Sequence, residues 1–433
     1  MRAVLPTLVV LTTLGLSARV VTGCASDEDA PSAPIDAVDS GGPGLDGDVT
    51  SDGAASTDAS EGGDAAIVCS PDGWCPTALP GAAIAAAEYL DPVFVPIDLH
   101  DVWVTPEHEA WAVAEQGYVL HWAAGAWSYV FGANVPLHTV WVAGPGDVWA
   151  GGPDGVVFHG TSSASAPGTF AFGKVELGVA DDILRIRGTS ASDILAITAN
   201  GIFHSAGTSF EELSFPSAIP GDSAHVVSDM WKSDEDVWIA AREYSTCNKF
   251  GDTCDYQDHT LLVRWKHAAD PNGDPSASFD RIPLALSCSG VTCAVVAGAT
   301  APDGSHYLVV KRPSLLPFSK PPQVAHVAPR DAGILDASAA GGNGDWVWSM
   351  DDAALAGTTP EGIWTAASTR AWIAASPGSV RRWDGQIWSI GRVAIGSPLT
   401  KRLHAIGGVV DGSGKADTWI VGENIALHRT ESP

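Results

Sequence analysis

Val102-Trp103-Val104, followed by Ala110-Trp111-Ala112-Val113, is the stretch whose reading decides the fold. Its two tryptophans are eight residues apart, and the frame recurs 38 residues on as Val140-Trp141-Val142 and Val148-Trp149-Ala150. It returns as Ile363-Trp364 with Ala371-Trp372-Ile373, with a step of seven as Trp231 and Trp238, and without Trp as Ile186 and Ile194. Between the two apolar points lie turn formers such as Pro145-Gly146-Asp147 and Ala191-Ser192-Asp193. Alternating apolar runs on either side of such a turn read as a β-hairpin. A second hairpin follows each time: Gly117 leads to Tyr118-Val119-Leu120-His121-Trp122, Gly155 to Val156-Val157-Phe158-His159, and Gly201 to Ile202-Phe203-His204. A fourth run starts after another glycine, as in Gly125-Ala126-Trp127 and Gly385-Gln386-Ile387-Trp388. One unit is therefore four short strands in a meander.

Unit markers fall at Trp111, Trp149, Leu195, Trp238, near Val295, near Trp346, and at Trp372 and Trp419. The step from Trp346 to Trp372 is only 26 residues, too short for a whole unit, which leaves about seven. Four-stranded units at this period resemble β-propeller blades, so the fold class is all-β, a propeller of about seven four-stranded blades over residues 97–433. The unit resembles the Trp-rich propeller repeats of bacterial envelope proteins, among them sialidase-like ones. Neighbouring sheets cover each other's faces, and indole rings are effective filler between twisted sheets, so most of the Trp read as blade packing. The last unit supplies three strands (Leu403–Val409, Thr418–Val421 and Ile425–His428), and Ala82–Pro96 is expected to complete it, since closure removes open sheet edges. The sialidase-like resemblance implies an S-x-D-x-G-x-x-W box. The nearest stretch, Arg382-Trp383-Asp384-Gly385-Gln386-Ile387-Trp388, has Asp and Gly adjacent and does not match it.

The N-terminus reads as an address. Met1-Arg2 precedes an apolar run from Ala3 to Leu16 that is short for a membrane span, and the run leads to Val21-Thr22-Gly23-Cys24. That tetrapeptide resembles the bacterial lipobox, which implies a signal peptide over 1–23 and lipidation at Cys24; acyl chains there would hold the chain to the membrane. Ala25 rather than Asp after the cysteine favours the outer membrane, so the expected location is the cell envelope, attached by lipid alone. Residues 24–66 read as a disordered linker, since 25–66 hold 11 acidic residues, no Lys or Arg, and mostly Ala, Gly, Ser and Pro. Residues 67–96 are then a stapled lead-in carrying the closing strand. Beyond Cys24 the other six cysteines form three short pairs, Cys69/Cys75, Cys247/Cys254 and Cys288/Cys293. An even set in an exported chain reads as disulfides, with local pairing favoured among the 15 connectivities.

The chain has 433 residues, 23 basic and 51 acidic side chains, and a formal charge of −28, a balance that argues against nucleic acid and anionic lipid as partners. His121, His159, His204 and His428 share one repeat position and read as satisfied strand histidines rather than converging metal ligands. The exceptional segment is the insertion 243–260, a candidate recognition loop with Asp252, Asp255, Tyr256, Asp258 and His259 between its cysteines and the next strand. No cofactor is expected; a cation such as calcium at that loop is the alternative reading. The functional expectation is a monomeric envelope propeller that binds a protein or glycan partner without catalysis. A carbohydrate-active hydrolase or lectin on the same fold is the alternative, and an adhesin or pilus-associated factor the third reading.

Overall fold

The computed structural model describes residues 68–84 and 93–431, except for 164, 220–222, 234–235, 246–257, 267–278, 289–291, 312–320, 334, 336–340 and 395–397. The described residues belong to the unit Ala65–Pro433. Seven antiparallel blades form a closed β-propeller. Their innermost strands are Leu99–Val104, Thr139–Gly144, Arg185–Ser190, Ser223–Ser233, Ala294–Thr300, Thr359–Ala367 and Leu403–Val410, for blades 1 to 7 in order. Each blade runs outward as a meander, and the cross-strand pairs Trp103–Trp111, Trp141–Trp149, Trp231–Trp238 and Trp364–Trp372 sit where the repeat places them.

Two expectations are corrected. Ala82–Pro96 does not complete blade 7; Ala82–Ile84 and Val93–Val95 pair with each other as a separate hairpin. The closing strand is Cys75–Pro76, paired to the last strand Ile425–Glu431 through Cys75–His428 and Pro76–Leu427. Burial explains the choice. Trp74 is 1% exposed and packs with Trp372, Leu403 and Leu427, so the residues beside it are drawn to the ring's edge. The Cys69–Cys75 disulfide folds this segment back, Thr77 N donates to Ala426 O at 2.9 Å, and Arg429 Nε donates to Asp72 O at 2.7 Å. The second correction concerns unit five. The markers near Val295 and Trp346 belong to one blade, as its first strand and the strand Trp346–Asp351; the residue at the Trp111 position is Tyr307, paired to Ala299. Apolar alternation marks strands but does not say which strand of a blade is innermost. This blade also gains a fifth strand, Gly341–Asn343.

Tryptophan locks blade to blade. A Cβ placed on Gly298 would lie 2.5 Å from Cε3 and Cη2 of Trp231, one blade back. Gly188 stands in the same relation to Trp141 and Gly408 to Trp364, at 2.6 and 2.7 Å. The indoles of blades 2, 4 and 6 thus press against glycine backbone of the next inner strand, closer than a side chain there would permit.

Candidate functional site

The inner strands enclose a central channel with a cavity of about 160 Å³. Two buried ion pairs cross it. Arg187 Nη2 lies 3.4 Å from Asp101 Oδ2, and Arg185 Nε lies 3.0 Å from Asp229 Oδ1. Asp101 Oδ2 also accepts from Thr139 Oγ1 at 3.1 Å and Val140 N at 3.0 Å, and Asp229 Oδ2 accepts from Gly298 N at 2.9 Å. Arg187 donates to the carbonyls of Val140 and Ile186, and its guanidinium lies 5.2 Å from the Trp103 ring centre. Burial opposes the charges on Asp229, Arg185 and Arg187. It raises the Asp229 carboxyl above its ordinary range despite Arg185, and it lowers Arg187. On Arg185 the attraction of Asp229 and Asp101 outweighs burial, and its pKa rises. These charges neutralise one another and tie blades 1 to 5 together.

The channel mouth is built by a repeated irregularity. In blades 1, 5, 6 and 7 a β-bulge lies near the start of the inner strand, with His100, Val296, Glu361 or His404 as its extra residue, and in blade 4 the matching bulge at Ser228 falls within the longer strand Ser223–Ser233. Bulges re-aim a side chain, and at a strand end they direct it toward the opening. Counting back from Trp141–Trp149, His138 occupies this position in blade 2, where its N–H donates to Gly151 O at 2.7 Å. Blades 6, 7, 1 and 2 thus present Glu361, His404, His100 and His138 as an arc. The His100 and His404 rings stack 4.9 Å apart with 6° between their planes, and His100 and His138 are 5.8 Å apart. Asp98 Oδ1 lies 3.1 Å from His404 Nε2, and Glu115 Oε2 lies 3.2 Å from His100 Nε2. Burial depresses His100 and raises Glu361, whereas the Asp98 carboxylate raises His404. Among the described residues, Asp98, His100 and His404 form the one group of at least three His, Cys, Asp or Glu placed to hold a metal ion. Sequence reasoning passed over this arc. Its signal was a Leu-His pair just ahead of the inner-strand core, at Leu99-His100, Leu137-His138 and Leu403-His404.

The repeat histidines are spread round the ring, as expected. His121 lies 2.9 Å from Glu109, His159 3.1 Å from Asp147, His204 2.9 Å from Asp193 and His428 2.7 Å from Asp417, each carboxylate within a residue of the start of the blade's second strand. Three of them stack on Trp111, Trp149 and Trp419 at 3.8 to 4.2 Å. Blade 4 replaces the set by Arg264, Asp236 and Trp238.

Of the candidate recognition loop, Asp252, Asp255, Tyr256, Cys247 and Cys254 lie outside the described residues, as does Cys24. Asp258 and His259 open the third strand of blade 4. Arg242 donates to both Asp258 oxygens, at 3.0 and 2.6 Å, and His259 Nε2 lies 3.2 Å from Glu243 Oε2. Burial opposes the charge on Glu243, but hydrogen bonds from Ser217, Ala218 N, Ile219 N and Ser223 hold its carboxyl below the ordinary range. Cys288–Cys293 is a disulfide beside this strand start, where Thr292 Oγ1 donates to Asp258 O and Thr260 Oγ1 to Cys293 O. In a meander the connections between second and third strands emerge where inner strands begin, so Ser245 and Asp258 stand at the mouth end of the ring. Asp384, at the departed sialidase-type box, works as a turn: its Oδ1 accepts from Gln386 N and Ile387 N at 2.9 Å.

No protein-family model matches the chain, and no curated protein does. Solved structures do. YCF48 bound to D1 peptide is 14% identical with a TM-score of 0.51, over 82% of this chain and 96% of its own. YCF48 from Cyanidioschyzon merolae is 12% identical with a TM-score of 0.53, over 82% and 98%. The extracellular domain of the putative hybrid two component system BT4673 from B. thetaiotaomicron is 10% identical with a TM-score of 0.50, over 83% of this chain and 40% of its own. At such identities the likeness concerns architecture, and what this chain shares with them is the seven-bladed β-propeller fold.

Proposed function

We propose that the chain is a lipid-anchored cell-envelope propeller that acts as a binding and scaffold module for a protein partner, docked across the channel mouth, without catalysing a reaction. The observation that carries this reading is the asymmetry of the mouth. Glu361, His404, His100 and His138 gather on four adjacent blades, while the charges deeper in the channel neutralise one another in pairs. A rigid ring with polar groups along one arc suits an extended segment lying over one side of the opening. YCF48, a propeller of like architecture, binds a peptide, which supports the class of partner. Anchoring through Cys24 and an outer-membrane location rest on the lipobox resemblance and belong to the same proposal.

A glycan is the second reading, because Trp103 and Trp364, both half-buried, line the channel beside Arg185 and Asp229. The test is a crosslinking pull-down from envelope extracts, with calcium and with chelator, using the wild-type chain and Glu361→Lys. The proposal expects one saturable protein partner, lost in the variant while tryptophan emission stays native. Equal capture by both chains refutes the docking site, and retention on cell-wall or capsular polysaccharide alone transfers the assignment to the glycan reading.

A further inference from the structure

We propose that Asp98, His100 and His404 form a binding site for a divalent first-row transition ion of the zinc class at the channel mouth. The donor set decides the class of ion. Two imidazoles and one carboxylate suit zinc and its neighbours, whereas calcium and magnesium call for oxygen donors throughout.

Geometry supports the assignment. One potential ligand atom from each residue lies within 4.8 Å of the others. Ligands on a tetrahedral ion at ~2.0–2.1 Å stand about 3.4 Å apart, so closure asks for a movement of about 1–1.5 Å from Asp and His side chains, whose χ2 wells are broad. Asp98 Oδ1 and His404 Nε2 already face each other at 3.1 Å as an ion pair, so an ion seated between them would take both as ligands in place of that contact.

The surroundings complete the site. Glu115 at 3.2 Å from His100 Nε2 is a carboxylate able to orient that imidazole, as outer-shell acids do for ligating histidines. Gln116 Oε1 accepts from Asp98 N at 3.1 Å and fixes the backbone beneath the carboxylate. His138 brings a further imidazole from blade 2. The ion would sit between the first and the last blade, so its binding would tie the two ends of the ring's chain together.

The experiment uses the untagged full chain, stripped with chelator and titrated with Zn²⁺ against a chromophoric competitor. Parallel titrations use His404→Ala, Asp98→Asn and, as a control away from the mouth cluster, His225→Ala. One tight equivalent is expected in wild type and H225A, weakened roughly tenfold or more in H404A and D98N. Zinc should raise the thermal midpoint of wild type and H225A only. Stoichiometric uptake retained in H404A and D98N overturns the site, as does a wild type that takes up no zinc at micromolar concentration. Should either variant lose native tryptophan emission, Co²⁺ added to wild type decides: a visible d–d band of nitrogen- and oxygen-ligated cobalt supports the site, and its absence refutes it.

Discussion

Replacing Gly298 by alanine tests whether the ring is held by indole rings lying on glycine. The added Cβ would stand 2.5 Å from Cε3 and Cη2 of Trp231. Carbon atoms settle at ~3.5–4.0 Å, so the indole must retreat by over about 1 Å. It has little freedom to do so. Trp231 is 7% exposed, and its Nε1 donates to Thr300 Oγ1 at 2.8 Å, the same hydroxyl that His306 Nδ1 meets at 2.8 Å. Overpacking of this kind costs roughly 1–3 kcal/mol. Breaking the indole hydrogen bond adds about 1 kcal/mol, so the expected loss is about 2–4 kcal/mol. Gly173 is the control, an outer-strand glycine whose added Cβ would meet nothing within 4 Å. Urea denaturation followed by tryptophan emission should leave Gly173→Ala within about 0.5 kcal/mol of wild type and place Gly298→Ala well below it. Trp231→Leu in the Gly298→Ala background should recover part of the loss, since the clash then has no ring to meet. If Gly298→Ala matches Gly173→Ala, or if Trp231→Leu relieves nothing, the packing argument fails.

Three further outcomes follow from the same geometry. Burial depresses His306 to about 3 and His326 to about 4, so between those values and the ordinary 6.5 the unfolded chain binds more protons than the folded one. Stability should therefore be fully present above about pH 6.5 and decline on acidification toward 4, with His326→Phe showing a shallower decline in urea midpoints across that window. Asp417→Ala removes a buried carboxylate that stands 2.7 Å from His428 and 3.0 Å from His108, and should cost about 2–3 kcal/mol by denaturant unfolding; an unchanged midpoint would show the acid–histidine pairs to be incidental. Changing Cys69 and Cys75 to serine opens a loop with a sequence separation of 6, worth about 2 kcal/mol in the chain-entropy model, and should expose the closing strand to limited proteolysis before any other part of the ring.

Much of this architecture is legible in single residues. The eight-residue Trp spacing and the glycine turns place the hairpins, and the count of seven blades holds, although the two markers that share a blade are Val295 and Trp346 rather than Trp346 and Trp372. The repeat histidines were legible too, because His121, His159, His204 and His428 fall at one place in the period, each against a blade's own acid. The closing strand was not. Cys75–Pro76 is two residues long and carries no alternation, and Trp74 reveals its role only once its burial against Trp372 and Leu427 is seen. The channel charges were equally hidden, since Arg187 and Asp101 are 86 positions apart and neither belongs to a motif.

By itself, then, the sequence determines what is local and periodic: strand alternation, turns, the count of units and the residues that recur within them. These follow from side-chain period and turn chemistry, which act over a few residues. Only the tertiary structure decides what the ring brings together. Asp98 and His100 meet His404 because closure sets the first blade against the last, and a bulge in each inner strand turns both imidazoles to one opening. A bulge is a local irregularity with no period of its own, and a contact across the closure spans nearly the whole propeller, so neither leaves a regular trace along the chain.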